Sequence, residues 1–257
     1  MRYKITFSFD GSSFCGFQKQ PSDPSVQETF EKALAKLLHE ASDFDFTGAG
    51  RTDSGVNAVS YVAHFDYPVE LPFSNGDFLY KLNAILPFSI SVHSVERVED
   101  DFHARFGAKK RTYKYFLHSF KDPFAAKYSY HLRYPLDIEA MNKAAEHLLG
   151  THDFSCFEKT GSDNGTSICT VYSAGWKEYV PSHVSELGFE GGSYWVFEIC
   201  ANRFLRNMVR ATVGTLLEIG RGARSVEWID EVLESGDRCQ GGESVPGHAL
   251  FLCRVEY

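Results

Sequence analysis

Arg2-Tyr3-Lys4-Ile5-Thr6-Phe7-Ser8-Phe9 sets polar and apolar side chains in strict alternation, the period of a strand with one face in a core and the other in water. The pattern that extends outward from it decides the fold class. After a glycine-rich turn, Ser25 and Glu28 have the spacing of a capping box. Val26, Phe30, Ala33, Leu34, Leu37 and Leu38 then supply the apolar stripe of a helix. Extended segments are predicted around 46–50 and 59–65, a second helix from about Asp77 to Leu86 stopped by Pro87, and a strand over 90–95. The order strand-helix-strand-strand-helix-strand is the split βαβ plan.

The same plan restarts near residue 104. Arg111 to His118 reads as a strand, and the next helix carries Ile138, Met141, Ala145, Leu148 and Leu149 and ends at Gly150 as its C-cap. Residues 171–179 and 194–200 are strands rich in aromatic and β-branched side chains. A long helix is predicted from Arg203 to about Ile219, which puts Arg203, Asn207, Arg210 and Gly214 on one face, and a shorter one over 226–234. Residues 249–257 alternate once more. The expectation is an α+β fold of two lobes, 1–103 and 104–257, sharing a mostly antiparallel sheet flanked by helices.

Composition bounds what such a chain does. With 257 residues, 43% apolar and 23% charged, it can bury a substantial core. No apolar run approaches a bilayer span, and the N-terminal alternation lacks the apolar segment of a secretory signal. The expected location is the cytoplasm, with no membrane partner. The six cysteines (Cys15, Cys156, Cys169, Cys200, Cys239 and Cys253) are scattered without a CxxC pair and are expected as free thiols. The ten histidines form no HExxH and no Cys/His cluster at zinc spacing, so no metal is expected. A net charge of −8 argues mildly against a nucleic-acid partner, although phosphate binding depends on where the basic residues lie. Lys109, Lys110, Arg111 and Lys114 form one basic cluster, and Arg203, Arg206 and Arg210 another. Taken alone, each is better read as a solvated face.

The most informative chemistry lies in Gly48-Ala49-Gly50-Arg51-Thr52-Asp53-Ser54-Gly55-Val56-Asn57-Ala58. Its glycines indicate a tight backbone path with room for positive φ. Asp53 stands where a dinucleotide fingerprint needs glycine, and no Gly-Lys-Ser/Thr follows to make a P-loop. What remains is a loop that presents one arginine and one carboxylate between apolar strands. On its residues alone it leans towards an ordinary hairpin with an Asp-Ser-Gly turn.

Residues 50–58 closely resemble the GRTDAGVHA signature of TruA-type tRNA pseudouridine synthases. Phe9-Asp10-Gly11-Ser12, Gly16-Phe17-Gln18-Lys19-Gln20-Pro21 and Val26-Gln27 are similar to that family's YDG, GWQ-x-QP and VQ elements. Phe102-His103-Ala104-Arg105-Phe106 and Arg111-Thr112-Tyr113-Lys114-Tyr115 resemble its HARFSA and R-x-Y-x-Y segments. His152 to Phe157 and Phe204 to Arg210 complete the order, so the resemblance spans nearly the whole chain. Ser54, Asn57, Phe17, Gly107 and the segment Gly247 to Leu250 depart from the usual pattern, which bears on uridine selectivity rather than on reaction class.

The resemblance implies two ferredoxin-like, RRM-like lobes with the active cleft between them. The implied activity is isomerisation of uridine to pseudouridine at positions 38, 39 and 40 of the tRNA anticodon stem-loop, without a cofactor. It assigns Asp53 as the catalytic carboxylate and nucleophile, Tyr113 as the ring that packs on the target uracil and assists proton transfer, and Arg210 as the partner of Asp53. Arg51, Lys109, Lys110, Arg111, Arg203 and Arg206 join Tyr113 as expected substrate contacts. A homodimer in which one tRNA contacts both subunits is also implied. Two other readings stay open: a non-catalytic tRNA-binding protein, and a synthase of the same chemistry acting on other RNA uridines.

Overall fold

A computed structural model describes residues 1–39, 44–161 and 165–257. The chain divides into unit 1, residues 1–109 with 252–257, and unit 2, residues 110–251. The fold is α+β with mostly antiparallel strand pairing and flanking helices.

Unit 1 opens with β1 (Arg2–Phe9), whose alternation buries Tyr3, Ile5, Phe7 and Phe9. Helix α1 (Val26–Leu38) starts where Ser25 Oγ accepts the Glu28 N–H at 3.2 Å, and it lays Phe30 against Phe7 with centroids 4.6 Å apart. The short β2 (Thr47–Gly48) and the long β3 (Asn57–Asp66) pair antiparallel. Helix α2 (Asn75–Ile85) is capped by Ser74, and its C-cap Leu86 is extended, as a following proline requires. Strand β4 (Ile90–Val98) closes the lobe. Because β1 pairs antiparallel with both β3 and β4, and β3 with β2, the order β4-β1-β3-β2 is that of a split βαβ, ferredoxin-like lobe.

Unit 2 repeats the logic. Its strands are β5 (Lys110–His118), the two-residue β6 (Tyr130–His131) parallel to it, β7 (Gly150–Asp153), β8 (Ile168–Glu178) and β9 (Tyr194–Ala201). The order β5-β9-β8-β7 is antiparallel at each step, so β5 and β8 run parallel with β9 between them. Helix α3 (Ile138–Glu146) lies in the connection from β5 to β8. It ends at Glu146, short of Gly150, which has φ 97° and begins β7. After the single-turn α4 (Ser182–Ser185) come α5 (Met208–Gly220) and α6 (Trp228–Ser235). The final strand, β10 (Leu250–Glu256), returns to unit 1 from Leu252 and lies beside β3.

One expected element is shorter. The helix predicted from Arg203 begins at Met208, because Asn207 sits in the left-handed region at φ 68° and cannot continue a right-handed helix. Arg203 therefore shares no helical face with Arg210; it lies in the loop after β9.

His64 on β3 ties the segment before β5 to unit 1. It is 4% exposed, and its Nδ1 accepts the Ala104 N–H at 3.1 Å. Burial first, then the charge of Arg2, depresses its pKa from 6.5 to about 4. The folded state thus favours neutral His64, and the unfolded chain takes up a proton that the native state refuses. The resulting stability is present above pH 6.5 and is lost as pH falls to about 4. Its size is about 3 kcal/mol. Urea melts of wild type and His64→Gln at both ends of this window test it: the wild type should lose more stability than the variant. Equal losses would assign the pH dependence to other groups.

Candidate active site

The loop between β2 and β3 is fastened along its length. At its start, the Tyr61 hydroxyl donates to the Gly50 carbonyl, and the Tyr61 hydroxyl oxygen accepts the Gly50 N–H at 3.4 Å. Tyr61 is fully buried and stacks on Phe17 at 4.6 Å. A Cβ at Gly48 would fall 2.2 Å from the Tyr61 hydroxyl oxygen, so the ring reaches its place only over a glycine. Further along, Thr52 O accepts the Phe17 N–H at 3.3 Å, and Phe14 O accepts the Gly55 N–H at 3.3 Å. The Val56 N–H closes the turn onto Asp53 O at 3.2 Å, with Gly55 at φ 76°. At the far end, buried Asn57 accepts the Gly11 N–H through Oδ1 at 2.9 Å.

The segment from Asp10 to Phe17 therefore wraps the loop backbone to backbone. The approach is closest at Gly11, where an added Cβ would lie 2.1 Å from the Val56 carbonyl oxygen. Buried Thr52 and Val56 flank half-buried Asp53, while Arg51 and Ser54 face outward. A carboxylate held at the tip of such a turn is preorganised to attack an electrophilic carbon or to stabilise developing positive charge. Sequence reading found Asp53 and Arg51 but gave no role to Gly11, Phe14, Asn57 or Tyr61, which set the loop. The two short Gly-containing motifs upstream were the available signal.

Unit 2 holds the other expected residues apart from Lys109. Tyr113 on β5 is 8% exposed, and its ring meets Phe204 edge-on at 4.9 Å. Arg111, two residues earlier on the same face, is 8% exposed, and its Nη1 donates to Asn202 O at 2.9 Å. Strand alternation thus splits the first basic cluster. Lys110 and Lys114 take the opposite face, with Lys110 Nζ 5.0 Å from the Tyr172 ring centroid and Lys114 paired to Glu198 at 3.2 Å. Lys109, in unit 1, is exposed, and its N–H donates to Glu256 O at 2.7 Å.

Arg203 is half-buried, with its N–H on Asn202 Oδ1 at 2.7 Å, and Arg206 is exposed. Arg210 lies in the first turn of α5, pinned reciprocally to one residue. Its Nε donates to Val245 O at 2.7 Å and its carbonyl accepts the Val245 N–H at 3.2 Å. A helix N-terminus disfavours a cation by roughly 0.3–1 kcal/mol. Helix stability therefore does not explain an arginine there.

Among the described residues, no group of three or more His, Cys, Asp or Glu side chains could hold a metal ion, and no helix is long and apolar enough to cross a membrane.

The family model described as tRNA pseudouridine synthase matches residues 5–107 and 144–257. The chain is 47% identical over 256 residues to tRNA pseudouridine synthase A of Bacteroides fragilis, covering all of this chain and 96% of that protein. It is 41% identical over 260 residues to tRNA pseudouridine synthase A of Bacillus subtilis, covering all of this chain and 99% of that protein. The Porphyromonas gingivalis protein of the same name is 40% identical over 256 residues, across the whole chain and 97% of the relative. Both halves match, as does the segment bearing the Asp53 loop, and on that footing the chain belongs to the tRNA pseudouridine synthase family.

Proposed function

We propose that this protein isomerises uridine to pseudouridine in tRNA, at positions 38, 39 and 40 of the anticodon stem-loop, with the Asp53 carboxylate as its catalytic group. The observation that carries the reading is the Asp53 turn, fastened by Gly11, Phe14, Phe17, Asn57 and Tyr61, in a chain of this family. The reaction breaks the N1–C1′ bond, rotates the base and forms the C5–C1′ bond. The C5 proton is lost and N1 gains one, so atoms balance without redox chemistry or a cofactor. Asp53 attacks or stabilises the electron-poor centre exposed when the bond breaks.

Tyr113 supplies a flat ring to the extruded uracil, replacing stacking lost from the RNA, and assists removal of the C5 proton. Arg210 acts as the cationic partner of Asp53, and its pinning to Val245 supports a positioning role. Arg51 holds the place of the flipped nucleotide, and the enzyme works as a cytoplasmic homodimer. Release of tritium from C5-labelled uridine in tRNA tests the reaction, and mapping pseudouridine on the product tests the positions. Tritium release with modification outside the anticodon arm would keep the chemistry and overturn the site assignment. No release by folded protein would overturn both.

Exposed Lys109, Lys110 and Arg206 are expected to meet phosphates despite the net charge of −8. Affinity for tRNA should fall linearly in log–log form as salt rises, and replacing one such residue with glutamine should reduce the slope by about 0.7 to 0.9. Filter binding across a salt series measures this. An unchanged slope would remove that residue from the interface.

A further inference from the structure

The turn 102–107 displays an aromatic ring that the proposed chemistry does not use. Phe106 is 76% exposed on a rigid support. His103 Nδ1 accepts the N–H groups of Arg105 at 3.1 Å and Phe106 at 3.2 Å, and His103 O accepts the Gly107 N–H at 2.8 Å. The turn is tied to unit 1 by Arg2 Nη1 on Phe102 O at 2.8 Å, Ala104 N–H on His64 at 3.1 Å and the Tyr257 hydroxyl on Ala104 O at 2.7 Å. The backbone that carries the ring is thus held within the turn and fastened to unit 1.

The surroundings suit a flat, electron-rich ligand. The His103 ring lies 4.4 Å from Phe106, and the Arg105 guanidinium sits 5.5 Å from the Phe106 centroid. Ala104 packs in one buried cluster with Ala49, the residue before Gly50, so the turn stands beside the foot of the Asp53 loop. Aromatic rings flanked by arginine are what unpaired bases stack on in single-stranded nucleic acid. We propose that Phe106, framed by His103 and Arg105, is a stacking platform for an unpaired nucleobase of the RNA substrate. The proposal rests on the reading of the protein as an RNA-modifying enzyme and adds to it a binding subsite outside the reacting centre.

The test compares tRNA binding by wild type, Phe106→Ala, Phe106→Leu and Phe106→Trp across a salt series. Loss of one stacked base weakens affinity by roughly 5- to 150-fold. Alanine and leucine should both show that loss with an unchanged log–log salt slope, since no phosphate contact is removed. Tryptophan, a larger flat ring, should bind as tightly as wild type. Thermal melting should be unmoved in each variant because the ring is exposed. Leucine binding as well as wild type, or alanine without effect, would overturn the platform. The two failures are separable: tritium release by the wild type judges the isomerase reading, and the Phe106 series is judged on binding alone.

Discussion

Asp53→Asn should abolish turnover, lowering the single-turnover rate by roughly four orders of magnitude or more, as loss of a catalytic nucleophile does. The substitution is isosteric and exchanges the carboxylate for a neutral amide. The contacts that shape the turn run through the backbone at Thr52, Asp53 and Gly55 and through the side chains of Asn57 and Tyr61. All of these survive the change. The turn should therefore keep its path, and tRNA affinity should stay within about threefold, because a group that acts in the transition state adds little to ground-state binding. Tritium release from C5-labelled tRNA by purified variant is the measurement. A folded variant that retains a tenth of wild-type rate would remove Asp53 from the chemistry and revive the tRNA-binding reading.

The sequence made the strands and the first helices legible because their signals are local. The alternation from Tyr3 to Phe9 needs no partner to be read, and Ser25 caps α1 through its own neighbour Glu28. Pro87 ends α2 by sterics alone. The start of α5 was not legible for the opposite reason. Arg203 to Met208 keeps a helical pattern, but Asn207 takes a left-handed conformation with its Nδ2 on Ser244 Oγ at 2.6 Å, a partner far along the chain. Asn207 also lacks a side-chain cap bond at the helix start, so no capping pattern marked the boundary.

Basic residues behaved similarly. Lys109 to Lys114 looks like one patch in composition, yet strand alternation turns Arg111 inward to the Asn202 carbonyl and leaves Lys110 exposed. That split was readable from a period of two once the strand itself was accepted. One departure from the family pattern has a local explanation: Asn57 occupies its site as a hydrogen-bond acceptor for Gly11.

Gly11→Ala should produce the second large effect, and it separates loop geometry from loop chemistry. Its Cβ would lie 2.1 Å from Val56 O and 2.6 Å from Val56 C, both backbone atoms, so no side-chain rotation relieves the clash. Either the Asp10–Ser13 turn or the Asp53 loop must move, and the Gly11 to Asn57 hydrogen bond is strained in both cases. Overpacking of this kind costs about 3 kcal/mol. For a chain of this size that lowers Tm by roughly 6 to 12 °C. A catalytic carboxylate displaced by about 1 Å loses on the order of a hundredfold in rate, while tRNA binding through Lys109, Lys110 and Arg206 should change little. Gly50→Ala is the internal control: a Cβ there meets nothing within 4 Å, and its φ lies outside the left-handed region. It should melt with the wild type. If Gly11→Ala also keeps wild-type Tm and single-turnover rate, the loop has slack that its close backbone contacts do not suggest. Asp53 would then owe its position to groups other than the Asp10–Phe17 wrap.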